Sequence, residues 1–195
     1  MTGVIQAGGR SRRMGGEPKA LLDLGGRRII ERVIDALAPA VSDLLLVTNT
    51  PELYRFLGLR MVPDAVPDAG SLGGIYSGLR AAPRDAIFTV ACDMPFLMTD
   101  VVRLVIARTD EADVVIPRVG DQLETLHAAY GTRCLGPMER RIAAGELRIT
   151  GFFHEVRVVE IPEADVARLA DPAIVFMNVN TPDELARARA LVGRD

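Results

Sequence analysis

Short apolar runs alternating with longer helical patterns leave this chain few architectures to adopt. Val4-Ile5 opens the first run, and residues 44–47, 59–62, 86–91 and 113–116 follow. Residues 123–130, 156–161 and 174–177 read as later strands. The early runs are continuously hydrophobic, as expected where helices cover both faces of a parallel sheet. Between them, Ile29, Ile30, Val33, Ile34 and Leu37 recur at helical spacing until Pro39 ends the pattern. A Gly-containing helix is predicted over 72–82, and Thr99 is read as the cap of a helix carrying Val101, Val102, Val105 and Ile106. Thr181, Pro182 and Glu184 have the spacing of a capping box with proline in the first helical position. The predicted fold is α/β: a Rossmann-like, doubly wound, mainly parallel sheet with helices on both faces, in one domain over residues 1–195. Ligands of such sheets sit beyond the carboxyl ends of the strands, and that rule selects the loops that matter.

Composition narrows the ligand. The chain of 195 residues is 49% apolar and 25% charged, with a net charge of −3. No global basic field is available to recruit nucleic acid or an anionic membrane, so any phosphate must meet a local cluster of cations. No apolar stretch reaches bilayer length, and no basic leader precedes the first strand. Cys92 and Cys134 are the only cysteines, too few for a disulfide framework in a chain this long. The expectation is a cytoplasmic protein without nucleic-acid or membrane partners. Positive charge is carried almost wholly by arginine, and Lys19 is the only lysine. A site that needs a compact ammonium rather than a planar fork would resist replacement by arginine.

The loop after the first strand reads Gln6-Ala7-Gly8-Gly9-Arg10-Ser11-Arg12-Arg13-Met14-Gly15-Gly16-Glu17-Pro18-Lys19. Adjacent glycines let backbone N–H groups approach a ligand. Arg10, Arg12, Arg13 and Lys19 add four positive charges, one offset by Glu17. Such a loop suits a triphosphate, although glycines and arginines also make ordinary surface turns. It is not a Walker motif, because Ala20 follows Lys19, and its glycines are misplaced for the dinucleotide fingerprint. Further on, Asn49 and Asp64 end the second and third apolar runs, where each could bond a base or ribose or simply form a turn. Asp93, in Cys92-Asp93-Met94-Pro95-Phe96-Leu97, ends the fourth run and could either hold Mg²⁺ or cap a turn. Cys92 with His127 and His154 could suggest a thiol nucleophile; a buried cysteine acting as a small hydrophobe is the stronger reading. The histidines read as ordinary, partly exposed residues. Asn178 and Asn180 alternate by two, so in extended backbone they face one side.

Taken together, these segments resemble the molybdenum cofactor guanylyltransferases. AGGRSRRMGGEPK is similar to that family's opening AGG-x-S-x-RMG followed by lysine. The segment 70–75 resembles its GPLAGI element, with Ser71 and Gly73 as departures. CDMPFL matches its CD-x-PFL. The segment 124–130 resembles its (E/Q)-P-L-x-A-x-Y strand, with Thr125 in place of proline. The segment 176–185 resembles its F-x-N-x-NTPE-x-L ending. The matches span residues 4 to 185, while residues 131–153 carry no readable motif.

The resemblance implies a nucleotide-diphospho-sugar transferase-like fold and transfer of GMP from GTP to molybdenum-molybdopterin, with Mg²⁺ as cofactor. It implies that Gln6, Ala7, Gly8, Gly9, Asn49 and Asp64 contact the nucleotide. Arg13 and Lys19 would contact its phosphates, Asp93 would hold the metal, and Asn178 and Asn180 would lie near the molybdopterin. Proteins of molybdenum insertion and molybdoenzyme maturation would be its partners. AGG rather than AAG in the first loop favours GTP over CTP. A cytidylyltransferase of the same cofactor, a sugar-nucleotide pyrophosphorylase and a nucleotide-binding module without chemistry stay open as alternatives. A Rossmann-like oxidoreductase is disfavoured by the missing dinucleotide fingerprint and the charge of the first loop.

Overall fold

A computed structural model describes residues 1–8 and 18–193. Eight strands form one sheet. They are β1 (Thr2–Gln6), β2 (Asp43–Val47), β3 (Arg60–Val62), β4 (Ala86–Ala91), β5 (Val114–Val119), β6 (Gln122–Leu123), β7 (His127–Gly131) and β8 (Val158–Pro162). Their order is β3-β2-β1-β4-β7-β5-β6, with β8 paired to β5. β1 pairs in parallel with β2 and β4, and β2 with β3. β7 runs antiparallel to both β4 and β5, and β8 pairs in parallel with β5. The sheet is thus mainly parallel with one reversed strand inside it, and helices cover both faces.

Two apolar layers explain that arrangement. Over one face, α1 (Ile29–Leu37) and α3 (Thr99–Ile106) bring Ile30, Val33, Leu37, Val101, Val102 and Val105 onto Ile5, Leu46, Phe88 and Val90. Over the other, α2 (Gly70–Ala81) and α4 (Leu135–Ala143) bring Leu72, Ile75, Leu79 and Met138 onto Val4, Leu45, Ile87 and Tyr130. The central strands are buried on both faces, which is why their sequences read as unbroken apolar runs. α2 lies against β1 at a glycine: a Cβ on Gly78 would meet Val4 Cγ1 at 2.5 Å. That approach needs a residue without a side chain.

Three predicted elements differ. Residues 174–177 do not form a strand: α6 (Pro172–Val175) follows the short α5 (Glu163–Ala167). Asp171 accepts a hydrogen bond from Ala173 N at 2.9 Å and Pro172 takes the first position, so local capping starts a helix there. A short apolar run alone cannot distinguish the two states. The run 123–130 is broken by a turn, in which Thr125 N donates to Leu123 O and His127 N to Glu124 O. Thr99 is not a cap. Met98 holds the cap position of α3, while Thr99 Oγ1 donates to Ala36 O at 2.7 Å and ties α3 to α1.

The capping box of α7 (Pro182–Val192) is present: Glu184 N donates to Thr181 Oγ1 and Thr181 N to Glu184 Oε2. This last helix packs Leu185 and Ala188 on Leu24 and Ile29, closing the chain's end over its beginning.

Candidate active site

The parallel ladder continues past the ends of β1, β2 and β4 and sets the floor of a cleft. Ala7 N donates to Val47 O at 2.9 Å, Thr48 N to Val62 O at 2.9 Å, and Cys92 N to Gln6 O at 3.1 Å. The cleft has a volume of about 830 Å³ at this carboxyl edge. Gln6, Ala7, Gly8, Asn49, Asp64, Asp93, Asn178 and Asn180 all line it. Gly9 and Arg13 lie outside the described residues.

One end of the cleft is a polar clamp. Asn49 Nδ2 donates to Asp64 Oδ2 at 2.8 Å, and Asp64 N donates back to Asn49 Oδ1 at 2.9 Å. Ala65 N donates to Ser77 Oγ at 2.8 Å, which anchors this turn to α2. Burial raises the Asp64 carboxyl pKa, and the Asn49 amide pulls it back down. Gln6 lies under the cleft, donating to Thr89 Oγ1 at 3.0 Å. A Cβ on Gly74 would meet Gln6 Oε1 at 2.3 Å, so the glycine of the degenerate 70–75 element makes room for that amide.

The other end joins the beginning of the chain to its late segments. Lys19, in a single 3₁₀ turn, extends its ammonium to Asn180 Oδ1 at 2.7 Å. Asn180 N and Thr181 N both donate to Glu184 Oε2, at 2.6 and 2.8 Å. Val179 N donates to Asp93 O at 2.9 Å, bringing the 178–180 segment against the end of β4. Val179 is fully buried between Asn178 and Asn180, which both face the cleft. Burial raises the Asp93 carboxyl pKa; the Lys19 ammonium and the residue's own amide lower it, and Glu184 opposes them. The sole ammonium side chain and the β4 carboxylate therefore share one electrostatic neighbourhood.

Could Asp93 hold a divalent cation? Among the described residues, no three His, Cys, Asp or Glu side chains are arranged as a metal cage. A single carboxylate partly withdrawn from water still gains from a nearby cation. Such a donor fits Mg²⁺, which keeps several waters and takes substrate phosphate oxygens as ligands.

Sequence reading missed Thr50, Asp68 and Leu126, which also line the cleft. Asp68 has φ 58°, a left-handed conformation that aspartate tolerates, two residues before the start of α2. Its place in the Pro67-Asp68-Ala69-Gly70 turn was the available signal. Cys92 lines the cleft too and is half-buried rather than buried as expected; desolvation and then the neighbouring Asp93 charge push its thiol pKa up, and its own backbone amide and the Lys19 ammonium offset that only in part. His154 is exposed. His127 is not partly exposed, as predicted, but fully buried, with its ring edge-on to Phe88 and Phe176. Neither of its ring nitrogens has a partner among the described residues. Burial holds it neutral, with its pKa pulled down to about 3.

A mainly parallel sheet with one reversed strand, carrying a polar cleft at its carboxyl edge, is an arrangement that suits a nucleotidyltransferase. Residues 3–158 match the model of the MobA-like NTP transferase domain. The chain belongs to this family. A probable molybdenum cofactor guanylyltransferase of Pelotomaculum thermopropionicum is 39% identical over 97% of this chain and 92% of its own length. The molybdenum cofactor guanylyltransferase of Desulfosudis oleivorans is also 39% identical, over 98% of this chain and 96% of its own. The crystal structure of molybdopterin-guanine dinucleotide biosynthesis protein A from Archaeoglobus fulgidus superposes with a TM-score of 0.87 at 27% identity, covering 100% of both chains.

Proposed function

We propose that this chain, as one domain over residues 1–195, transfers GMP from GTP to molybdenum-loaded molybdopterin in the cytoplasm. The observation that carries the reading is a cleft lined by Asp93 and by the Asn49–Asp64 clamp, with the Lys19 ammonium bonded to Asn180 on the same lining and close enough to act on the Asp93 carboxyl. Guanine presents an N–H and an amino group side by side, and the Asp64 carboxylate can accept both. Cytosine offers no such pair of donors. Asn49 holds that carboxylate in place.

In the transfer, an oxygen of the acceptor's terminal phosphate forms a bond to the α-phosphorus of GTP. The bond from that phosphorus to the bridging α–β oxygen breaks, and pyrophosphate leaves. The acceptor oxygen is already ionised near neutral pH, so no general base is required. Catalysis then consists of alignment and charge neutralisation. Lys19 places a fixed positive charge where the leaving pyrophosphate gathers negative charge, and Asn180 keeps that ammonium from straying. Asn178 and Asn180 orient the acceptor. Arg13 and the glycines of the first loop complete the phosphate cradle. Asp93 would hold Mg²⁺, which neutralises phosphate oxygens when bound. Proteins that load molybdenum or receive the product are partners consistent with this reaction.

The test is incubation with GTP, Mg²⁺ and molybdate-loaded molybdopterin, with parallel arms containing CTP, UTP or ATP. The expected product is the guanine dinucleotide, with pyrophosphate released only when acceptor is present. Dinucleotide formed from CTP instead would assign the chain to cytidylyl transfer. Nucleotide binding without pyrophosphate release would leave a binding module.

A further inference from the structure

Glu184 makes more bonds than its place in the fold asks for. In a capping box the carboxylate at the third helical position accepts from the N–H of the cap residue. Glu184 Oε2 does this for Thr181 at 2.8 Å, and the same oxygen also accepts from Asn180 N at 2.6 Å. Asn180 precedes the cap, so helix capping does not account for the second bond. Its effect falls on Asn180 itself. Val179 N is tied to Asp93 O at 2.9 Å and Asn180 N to Glu184, so two successive amides are fixed. On that fixed backbone, Asn180 Oδ1 accepts from the Lys19 ammonium at 2.7 Å.

The charges show why the ammonium needs such a stop. Lys19 lies within electrostatic reach of two carboxylates, Asp93 and Glu184. A point charge on a long flexible stem could settle toward either one. Asn180 holds it with a neutral oxygen, and an ammonium that gives one donor to Asn180 keeps others for phosphate oxygens. Lys19 and Glu184 are half-buried, while Asn180 is exposed. The Asn180 N–H is the largest influence holding the Glu184 carboxyl pKa below its ordinary value; burial opposes it, and the Thr181 bonds and the Lys19 charge assist.

We propose that Glu184 is a positioning residue for the transfer reaction: by fixing the backbone of Asn180, it sets where the Lys19 ammonium meets the triphosphate. The proposal rests on the guanylyltransferase reading above. It gives the last helix a task beyond closing the chain's end, since its first turn aims a side chain from the chain's beginning.

The experiment is a double-mutant cycle with GTP, Mg²⁺ and molybdate-loaded molybdopterin, comparing the unsubstituted protein with Glu184→Ala, Lys19→Ala and the double variant. Misplacement of the ammonium predicts that Glu184→Ala lowers kcat about tenfold, with the KM for GTP changing less than about threefold. In the Lys19→Ala background the same substitution should change kcat less than about twofold, because there is no ammonium left to misplace. Glu184→Gln, whose amide oxygen can still accept from Asn180 N, should recover most of the lost kcat. Glu184→Asp keeps the charge but shortens the reach to Asn180 N, so it should also lose kcat, and it serves if Glu184→Ala does not fold. Thr181→Ala, with Tm measured alongside, separates this role from capping. An equal fall in kcat for Glu184→Ala in both backgrounds overturns the proposal. So does a kcat within about twofold of the unsubstituted protein in Glu184→Ala, or a fall that Thr181→Ala matches at equal Tm. Failure of the underlying reading is visible separately, since the unsubstituted protein would then make no guanine dinucleotide.

Discussion

The two halves of the sheet follow different rules, and their sites differ accordingly. From β3 to β4 the strands are all parallel, the ladder continues into the loops, and each loop delivers one polar group to the same edge. Beyond β4 the sheet is irregular. β7 reverses, β6 is two residues long, and a turn at 124–126 separates them. The regular half can position groups on backbone that the sheet itself fixes, which suits the fixed geometry of a triphosphate. The irregular half pairs β5 with β6, β7 and β8 in mixed senses, so turns rather than one parallel ladder set its edge. The seam between them is the 178–184 segment, where Lys19, Asn180 and Glu184 join.

The largest expected effect lies at that seam on the nucleotide side. Lys19→Ala should lower kcat/KM by roughly 10²–10³, as the loss of one preorganised transition-state donor does. Steady-state kinetics with saturating acceptor checks it. Activity within a few-fold of the unsubstituted protein would remove Lys19 from the chemistry and leave the two halves without a shared catalytic group. Asp64→Asn tests the regular half alone. It replaces an acceptor of two N–H groups with a neutral amide, and the GTP Kd should rise about 10- to 100-fold, the range for a lost charge-assisted hydrogen bond. Acceptor affinity should not follow. If both ligands weaken together, the division of labour drawn above is wrong.

His127 sharpens the comparison from the irregular half. It sits on β7, buried against aromatic rings, with a folded-state pKa held down to about 3 by loss of water. In the unfolded chain it would titrate near the ordinary histidine value of about 6.5. The unfolded state therefore takes up a proton that the folded state refuses. Stability falls as pH drops below about 6.5, by up to roughly 1.4 kcal/mol per pH unit. His127→Phe, matched in shape to its two aromatic neighbours, should flatten denaturant midpoints between pH 6.5 and 4 while leaving turnover at pH 7.5 near that of the unsubstituted protein. An unchanged acid slope would show that other groups carry it.

The same contrast explains what could be read in the sequence. Continuous apolar runs, Gly8, Asp93 and the Thr181–Glu184 spacing are local signals, and they place most of the fold and the regular edge. The α6 helix was misread because Ile174-Val175-Phe176-Met177 has no period to reveal a helix and its start depends on Asp171 and Pro172 just upstream. The turn at 124–126 and the burial of His127 depend on pairing with β4 and β5, which no short window contains. Asp68 enters the cleft through a left-handed turn rather than a motif.

The smallest expected effect again concerns the seam. Thr181 Oγ1 satisfies the Glu184 amide at the start of α7, and Glu184 in return accepts from Thr181 N and Asn180 N. Thr181→Ala removes one of these bonds and should cost about 1 kcal/mol of stability, the usual price of an N-cap. Glu184 could still hold the Asn180 amide, so Lys19 should keep its contact and kcat should change less than about threefold, well below the loss expected for Lys19→Ala. Denaturant unfolding and steady-state kinetics on the same preparation check both numbers. A large fall in kcat with little loss of stability would mean that the helix cap, and not the Lys19–Asn180 contact alone, sets the geometry where the two halves meet.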